Sequence, residues 1–291
     1  MRVREHMLCA TAFVMVFAIP SGAPTAENRY IESLRSGSHE RRIDAMLQLG
    51  FAGNKAAFFY LVENLNSGRD KESAARRHVR TRSVAAEALG RLRDDRAVPH
   101  LVMRYGGEES PEVKRSILFA LSFFKSAAAE GVVNDGLSSG DEGVLFEAIR
   151  TAALSENASH APRLRDIAAG SPVERVRLAG VYALVALGDD VEKNTTLLEE
   201  GLKSRDPEVR FRAAVYLGEV GRAGSLENLA KAREIENMDW VKREIDIAAA
   251  RLATMRKRQR EREEDERLDR IMAGRQQGES GTNRPDRGEA K

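Results

Sequence analysis

Apolar residues recur at intervals of three and four along most of the chain, and this pattern itself repeats with a period near 32 residues. Five segments align on Val113, Val144, Val176, Val209 and Val241, reading SPEVKRSILFAL, DEGVLFEAIRTA, VERVRLAGVYAL, DPEVRFRAAVYL and DWVKREIDIAAA. The anchors are separated by 31, 32, 33 and 32 residues. Looser copies precede them at Arg41–Gly50 and Thr81–Gly90. In the Val209 copy, Val209, Ala213, Tyr216, Leu217 and Val220 fall on one side of a helix, a spacing no strand would produce. A second apolar stretch follows each first one, at Ala97–Tyr105, Ala127–Leu137, Ala161–Ala168, Thr195–Leu202 and Ser225–Arg233. Each unit reads as helix–turn–helix. A fixed period of this kind predicts an all-α solenoid of about six to seven repeats, in which every unit buries its apolar face on its neighbours.

Breakers agree with that phase. Pro99, Pro111, Pro162, Pro172 and Pro207 are the prolines between residues 27 and 272, and each is placed in the first turn of a helix. Proline is tolerated there because its missing N–H would have had no partner. Leu49-Gly50, Leu89-Gly90, Leu187-Gly188 and Leu217-Gly218 are read as helix ends where glycine supplies a left-handed cap. On these residues the chain resembles a known family. DPEVRFRAAVYLGEVG and TRSVAAEALGRLRDDRAVPHLV are similar to bacterial HEAT repeats of the kind first noted in phycobilisome lyases, over residues 30–255. The resemblance implies a right-handed superhelix with the second helices lining its inner surface. It also implies a structural ladder, in which the basic residue after each anchor valine (Lys114, Arg177, Arg210, Lys242) bonds to a loop aspartate of a neighbour, with Asp206, Asp239 and Asp141 as candidates. The Val144 copy departs by carrying Leu145 at the basic position. The stretch Ser67–Arg80 is longer than a normal linker, and the first copy lacks the Asp-Pro start of a typical unit.

The two ends of the chain break the period. Arg2 and Arg4 precede an unbroken apolar run, Met7–Ile19, followed by Pro20, Ser21, Gly22 and Ala23. This is the layout of a secretory signal peptide, residues 1–26, with cleavage near Ala26. The run is too short to span a bilayer, which takes about 20 residues. An uncleaved anchor or a misplaced start codon is the alternative. Export places the protein in the periplasm or cell envelope, and cleavage removes Cys9, the one cysteine. Residues 27–255 then form the solenoid. Residues 256–272 form a charged helical extension without the apolar a and d positions of a coiled coil. The polar residues 273–291 are expected to be disordered.

Composition narrows the chemistry. Charged residues make up 32% of 291, yet Lys+Arg 47 against Asp+Glu 45 leaves +2, so no strong field draws the chain to nucleic acid. Aromatics are 5%, so the core is built from Ala, Leu, Val and Ile. No two histidines stand at i, i+3 or i, i+4, and no metal site is expected. His39-Glu40 is a single pair, which excludes the di-iron hydroxylases that use several. No serine elbow, phosphate loop or dinucleotide turn occurs. No catalytic residue and no cofactor is called for, and each histidine is read as a helix-surface residue. Trp240 opens the last repeat, either covering the last core layer or standing exposed as an interface residue.

The function read from these features is non-catalytic: an exported, monomeric scaffold binding a protein or peptide partner along its concave face. On the second helices, His100, Arg104, Asn134, Arg163, Asp166, Glu199 and Lys231 are the candidate partner-binding residues. The alternative is a binder of nucleic acid or an anionic surface through Arg76–Arg82, if the chain is not exported.

Overall fold

The computed structural model of the chain describes residues 26–68, 76–222 and 224–281. The expected signal segment up to residue 25, residues 69–75 of the long linker and residues 282–291 of the expected tail lie outside the described residues. A leading helix α1 (Ala26–Ser36) is followed by pairs: α2 (His39–Phe51) with α3 (Phe58–Leu65), α4 (Arg76–Leu92) with α5 (Ala97–Gly106), and α6 (Pro111–Leu121) with α7 (Glu130–Gly136). Next come α8 (Glu142–Ser155) with α9 (Ala161–Gly170), α10 (Glu174–Leu187) with α11 (Val191–Gly201), and α12 (Pro207–Val220) with α13 (Ser225–Ile235). The described residues end in α14 (Asp239–Gly281), a single helix running from the last repeat through the charged extension and on over residues 273–281, which were expected to be disordered. No strand occurs among the described residues. The fold is an all-α solenoid of HEAT-like helix pairs.

The predicted period has a direct structural cause. Five of the six second helices contribute at least one leucine with no exposed surface, including Leu61, Leu101, Leu164, Leu198 and Leu229, and Leu137 at the C-terminal cap of α7 is equally buried. Burying one such side chain stabilises the fold by about 1.5–3 kcal/mol, which is why the pattern is kept in every unit. Opposite them, the first helices bury Leu49, Leu89, Leu121, Ala152, Leu184 and Leu217. Pro111 and Pro207 open α6 and α12, and Pro99 and Pro162 lie in the first turns of α5 and α9. Pro172 differs, because it sits in the loop before α10. Three second helices are entered through a 3-10 turn, and each turn has a side-chain cap. Asn54 Oδ1, Ser126 Oγ and Asn157 Oδ1 accept from the amides of Ala56, Ala128 and Ser159.

The glycines after the recurrent leucines do different work from that expected. Only Gly188 is left-handed, with φ 80°. Gly50, Gly90 and Gly218 lie inside helices. A Cβ at Gly90 would stand 2.6 Å from Ala120 Cα; at Gly50 it would stand 2.8 Å from Ala88 Cα, and at Gly218 3.0 Å from Ala248 Cα. These glycines let adjacent first helices approach backbone to backbone. As a result α2, α4, α6, α8, α10, α12 and α14 pack closely on one another, while successive second helices touch sparingly. A curved two-layer stack is more tightly spaced on its inside. The first helices form the closely spaced layer, which is the inner one of a curved stack, whereas the resemblance implied that the second helices line the inner surface.

Candidate functional site

The positions three, six and ten residues after each anchor share one side of each first helix, where most side chains are half-buried and Ser116, Ala179 and Tyr182 are buried. The position six after the anchor is Phe119 in α6, Arg150 in α8, Tyr182 in α10, Val215 in α12 and Ile247 in α14. Aromatic rings and guanidinium groups interleave along this face. The Arg91 guanidinium lies 4.2 Å from the Phe51 ring centre and 5.2 Å from that of Phe119. Arg150 lies 5.1 Å from Phe119, and Arg212 lies 5.1 Å from Phe146. Tyr182 stacks on Tyr216 at 4.4 Å, and Phe211 packs on Trp240 at 5.2 Å. Cation–π contacts of this kind hold a long flexible side chain in place without removing its donors from use.

Ion pairs fix the rest of the face. Arg175 makes a bidentate pair with Glu142 at 2.6 and 2.9 Å, crossing from α10 to α8. Arg212 pairs with Glu208 at 2.9 Å, and Arg150 with Glu147. Burial and the nearby Glu219 carboxylate push the Tyr182 phenol well above its ordinary range, so it stays neutral and acts as a hydrogen-bond donor. Between α4, α6 and α8 lies an open groove of about 440 Å³, whose lining includes Arg80, Glu87, Glu112, Arg115, Phe119 and Glu147.

The residues expected to bind a partner sit on the second helices, hence on the outer layer. Arg163, Asp166 and Lys231 are exposed there, with Lys231 paired to Glu227 at 2.6 Å. His100 is half-buried against the Phe58 ring. Asn134 is bonded to His160 at 2.9 Å, and Glu199 accepts from Ser225 Oγ and Asn228 Nδ2 at 2.6 and 2.7 Å. Arg104 is buried and ion-paired to Glu108 at 2.5 Å, which withdraws it from any surface role. His160 is buried rather than on a helix surface, and burial lowers its pKa. The basic cluster Arg76–Arg82 is also reduced. Arg82 is buried and makes a bidentate pair with Glu108 at 2.9 and 3.1 Å.

That pair corrects the ladder. Arg82 occupies the same repeat position as Arg210, which pairs with Glu236 at 2.6 and 2.9 Å. In both units the acceptor is a glutamate 26 residues downstream, in the loop leading to the next first helix. Arg210 and Arg177 also donate to the loop carbonyls of Ser204 and Ser171, at 2.9 and 2.8 Å. Lys114 lies 5.0 Å from the Tyr105 ring. Asp141 and Asp206 serve as helix caps, accepting from the amides of Val144 and Glu208 at 2.9 Å. A short carboxylate at the N-cap is captured by the free amides beside it, and it lacks the reach that glutamate has from the following loop. Asp239 opens α14, and Lys242, next to its anchor, is half-buried. Trp240 is 37% exposed and covers Phe211, not the last core layer, which is formed by Val241, Ile245, Ala248 and Leu252.

The interleaved rings and guanidinium groups lie on the first helices, not on the second helices that carry the expected residues. Their signal is nonetheless in the sequence, because Phe119, Arg150 and Tyr182 recur at one repeat position. Among the described residues, no group of three His, Cys, Asp or Glu is placed to hold a metal ion, and no helix is long and apolar enough to cross a membrane.

Comparison with known proteins agrees with this fold. A PBS lyase HEAT-like repeat model matches residues 81–104, which span most of α4 and α5. No curated protein sequence matches the chain. Among solved structures, the complex of CpcE and CpcF of phycocyanin lyase from Nostoc sp. PCC7120 is similar at 20% identity and TM-score 0.60, over 82% of this chain and 99% of that one. The Escherichia coli protein YibA is similar at 18% identity and TM-score 0.45, over 80% and 82% of the two chains. The chain is thus a HEAT-repeat helical solenoid containing a PBS lyase HEAT-like repeat.

Proposed function

We propose that the protein is a non-catalytic scaffold that holds a polypeptide partner along its inner, first-helix face. The observation that carries this reading is the run of aromatic and arginine side chains on that face, the residue types that dominate protein interfaces. Their rings and guanidinium groups are already held by mutual contacts, so little side-chain entropy remains to be lost on binding. The Nostoc neighbour is itself a complex of two proteins, which supports assembly as a use of this fold. We also propose that the chain is exported, on the strength of its basic, apolar and small-residue start. A fusion of residues 1–40 to a reporter active only outside the cytoplasm tests export, and an inactive reporter removes it.

The binding reading is tested by affinity capture from envelope extracts with the full mature chain and with a Phe119→Glu/Arg150→Glu variant. A partner retained by the first and lost by the second, with helicity unchanged, supports the inner face. Equal retention by both places the site elsewhere.

A further inference from the structure

We infer that α14 pairs the protein with a second copy of itself, the two charged extensions lying antiparallel. This goes beyond the inner-face reading and does not depend on it. Leu252 is the last buried residue of α14, and the helix runs on from there to Gly281, about 40 Å of helix. The stack itself is closed at this end. Five residues after the anchor, earlier first helices bury Leu118, Ile149, Val181 and Ala214, and Leu118 there meets its own second helix at Gly136. At the same position α14 carries Asp246, exposed and paired with Arg233 at 2.7 Å. A charged residue at that point caps a solenoid rather than continuing it. The extension thus leaves the last repeat with no helix of its own chain beside it among the described residues.

Charge along the extension is segregated. Residues 256–262 hold five basic side chains and one acidic, a net +4, and residues 263–269 hold five acidic and one basic, a net −4. The side chains from Arg256 to Leu268 are all exposed. Within this stretch the one ion pair among the described residues is Lys257–Glu261 at 3.8 Å, so each half keeps its own sign. A parallel copy would set like charge against like. An antiparallel copy sets each half against its opposite, and a two-fold axis makes that contact twice and closes it. When the copy is turned about the point between Glu261 and Arg262, Arg258 lies level with the partner's Asp265. These two residues stand seven apart, on one side of the helix. The same register brings Met255, 37% exposed, level with the partner's Leu268, 54% exposed, so a large apolar residue stands at each end of the charged contact. Complementary charge of this kind sets orientation more than affinity, so the pairing is weak and sensitive to salt.

Sedimentation of the mature chain, residues 27–291, should show a dimer in about 20 mM salt and a monomer in about 500 mM, because salt screens exposed charges. The variant Glu263→Lys/Glu264→Lys/Asp265→Lys/Glu266→Lys should be monomeric in both, as should Arg256→Glu/Lys257→Glu/Arg258→Glu/Arg260→Glu. An equal mixture of the two variants should dimerise again. Orientation is read from single cysteines, since the chain beyond Cys9 has none. With a short bis-maleimide, Met255→Cys mixed with Leu268→Cys should cross-link, whereas Met255→Cys alone should give little product. A monomer in low salt, a dimer that survives either reversal, a mixture that stays monomeric, or efficient cross-linking by Met255→Cys alone overturns the inference. Phe119→Glu/Arg150→Glu should dimerise as the wild-type chain does, which keeps this test separate from that of the inner face.

Discussion

The two helix layers of this solenoid are built on different rules. First helices meet through glycine against alanine, with a would-be Cβ at Gly90 only 2.6 Å from the next helix's Cα. Second helices carry glycines such as Gly131 and Gly170 that have nothing within 4 Å of a would-be Cβ, and their close-packed glycines, Gly136 and Gly201, meet side chains of first helices rather than one another. Their charges are used in exposed pairs, such as Glu227–Lys231 and Arg165–Asp189. One layer is set by close packing, and its far side carries the interleaved rings and guanidinium groups. The other is spaced by leucines reaching inward, and its outer surface is ordinary solvated helix. Buried carboxylates in the loops join the two. Glu108 receives Arg82 from a first helix and Arg104 from a second, and all three side chains are at most 8% exposed.

The strongest way to break this arrangement is to remove that clip. Glu108→Ala leaves two guanidinium groups buried together with no counter-charge, and should cost about 4 kcal/mol, read as a loss of denaturant midpoint. Exposed Glu227→Ala, at the other extreme, should leave the denaturant midpoint unchanged. Next in size is the layer contact. Gly90→Ala drives a methyl into the Ala120 backbone and should cost about 3 kcal/mol. Gly131→Ala, the same change in the second layer, meets open space and should be neutral or stabilising by up to about 1 kcal/mol. Equal effects at the two glycines would mean that the layers are not distinct in packing.

The period, the helix pairs and most helix starts were legible because burial of a leucine in or at the end of each second helix leaves a regular mark in any register. The identity of the inner layer was not. It depends on which helix brings glycine to its neighbour, and Gly50, Gly90 and Gly218 look like helix caps when only the adjacent residues are considered. The ladder failed for a similar reason. The basic residue was recognised, but its acceptor is a glutamate 26 residues away across a helix and two loops, and the nearer aspartates are held by helix amides. The aromatic positions were visible one by one, as Trp240 shows, but only the layer assignment reveals that Phe119, Tyr182 and Tyr216 share a face.

The second loop clip gives the comparison a pH dependence. Arg210 and two backbone amides hold the Glu236 carboxyl down at about 2, from an ordinary value of 4.5. A lowered folded-state pKa adds stability that is complete above pH 4.5 and fades as pH falls towards 2. The contribution is about 2 kcal/mol at neutral pH once residual solvent access at Arg210 is allowed for. Glu108 shifts in the same direction, because its two arginines and the Ser110 amide outweigh the cost of its burial. Urea midpoints measured between pH 7 and pH 2.5 should fall more steeply for the wild-type chain than for Glu236→Gln. Parallel curves would show that this carboxyl is not held low by its arginine.

The smallest effect is expected at the exposed charges of the second helices. Arg163, Asp166 and Lys231 stand exposed on the second helices, on the outer layer. Reversing all three charges alters long side chains that are largely hydrated already, so the denaturant midpoint should be unchanged. Capture of a partner should be undiminished, in contrast with its loss on Phe119→Glu/Arg150→Glu. Both layers are helical, both carry charge and both repeat with the same period, so composition cannot tell them apart. What separates them is spacing: a partner lying along the first helices meets closely packed neighbours, whereas one along the second helices meets helices that touch sparingly. A triple reversal on the outer layer that abolished capture would show that contact with single second helices, not the closely packed first-helix surface, holds the partner.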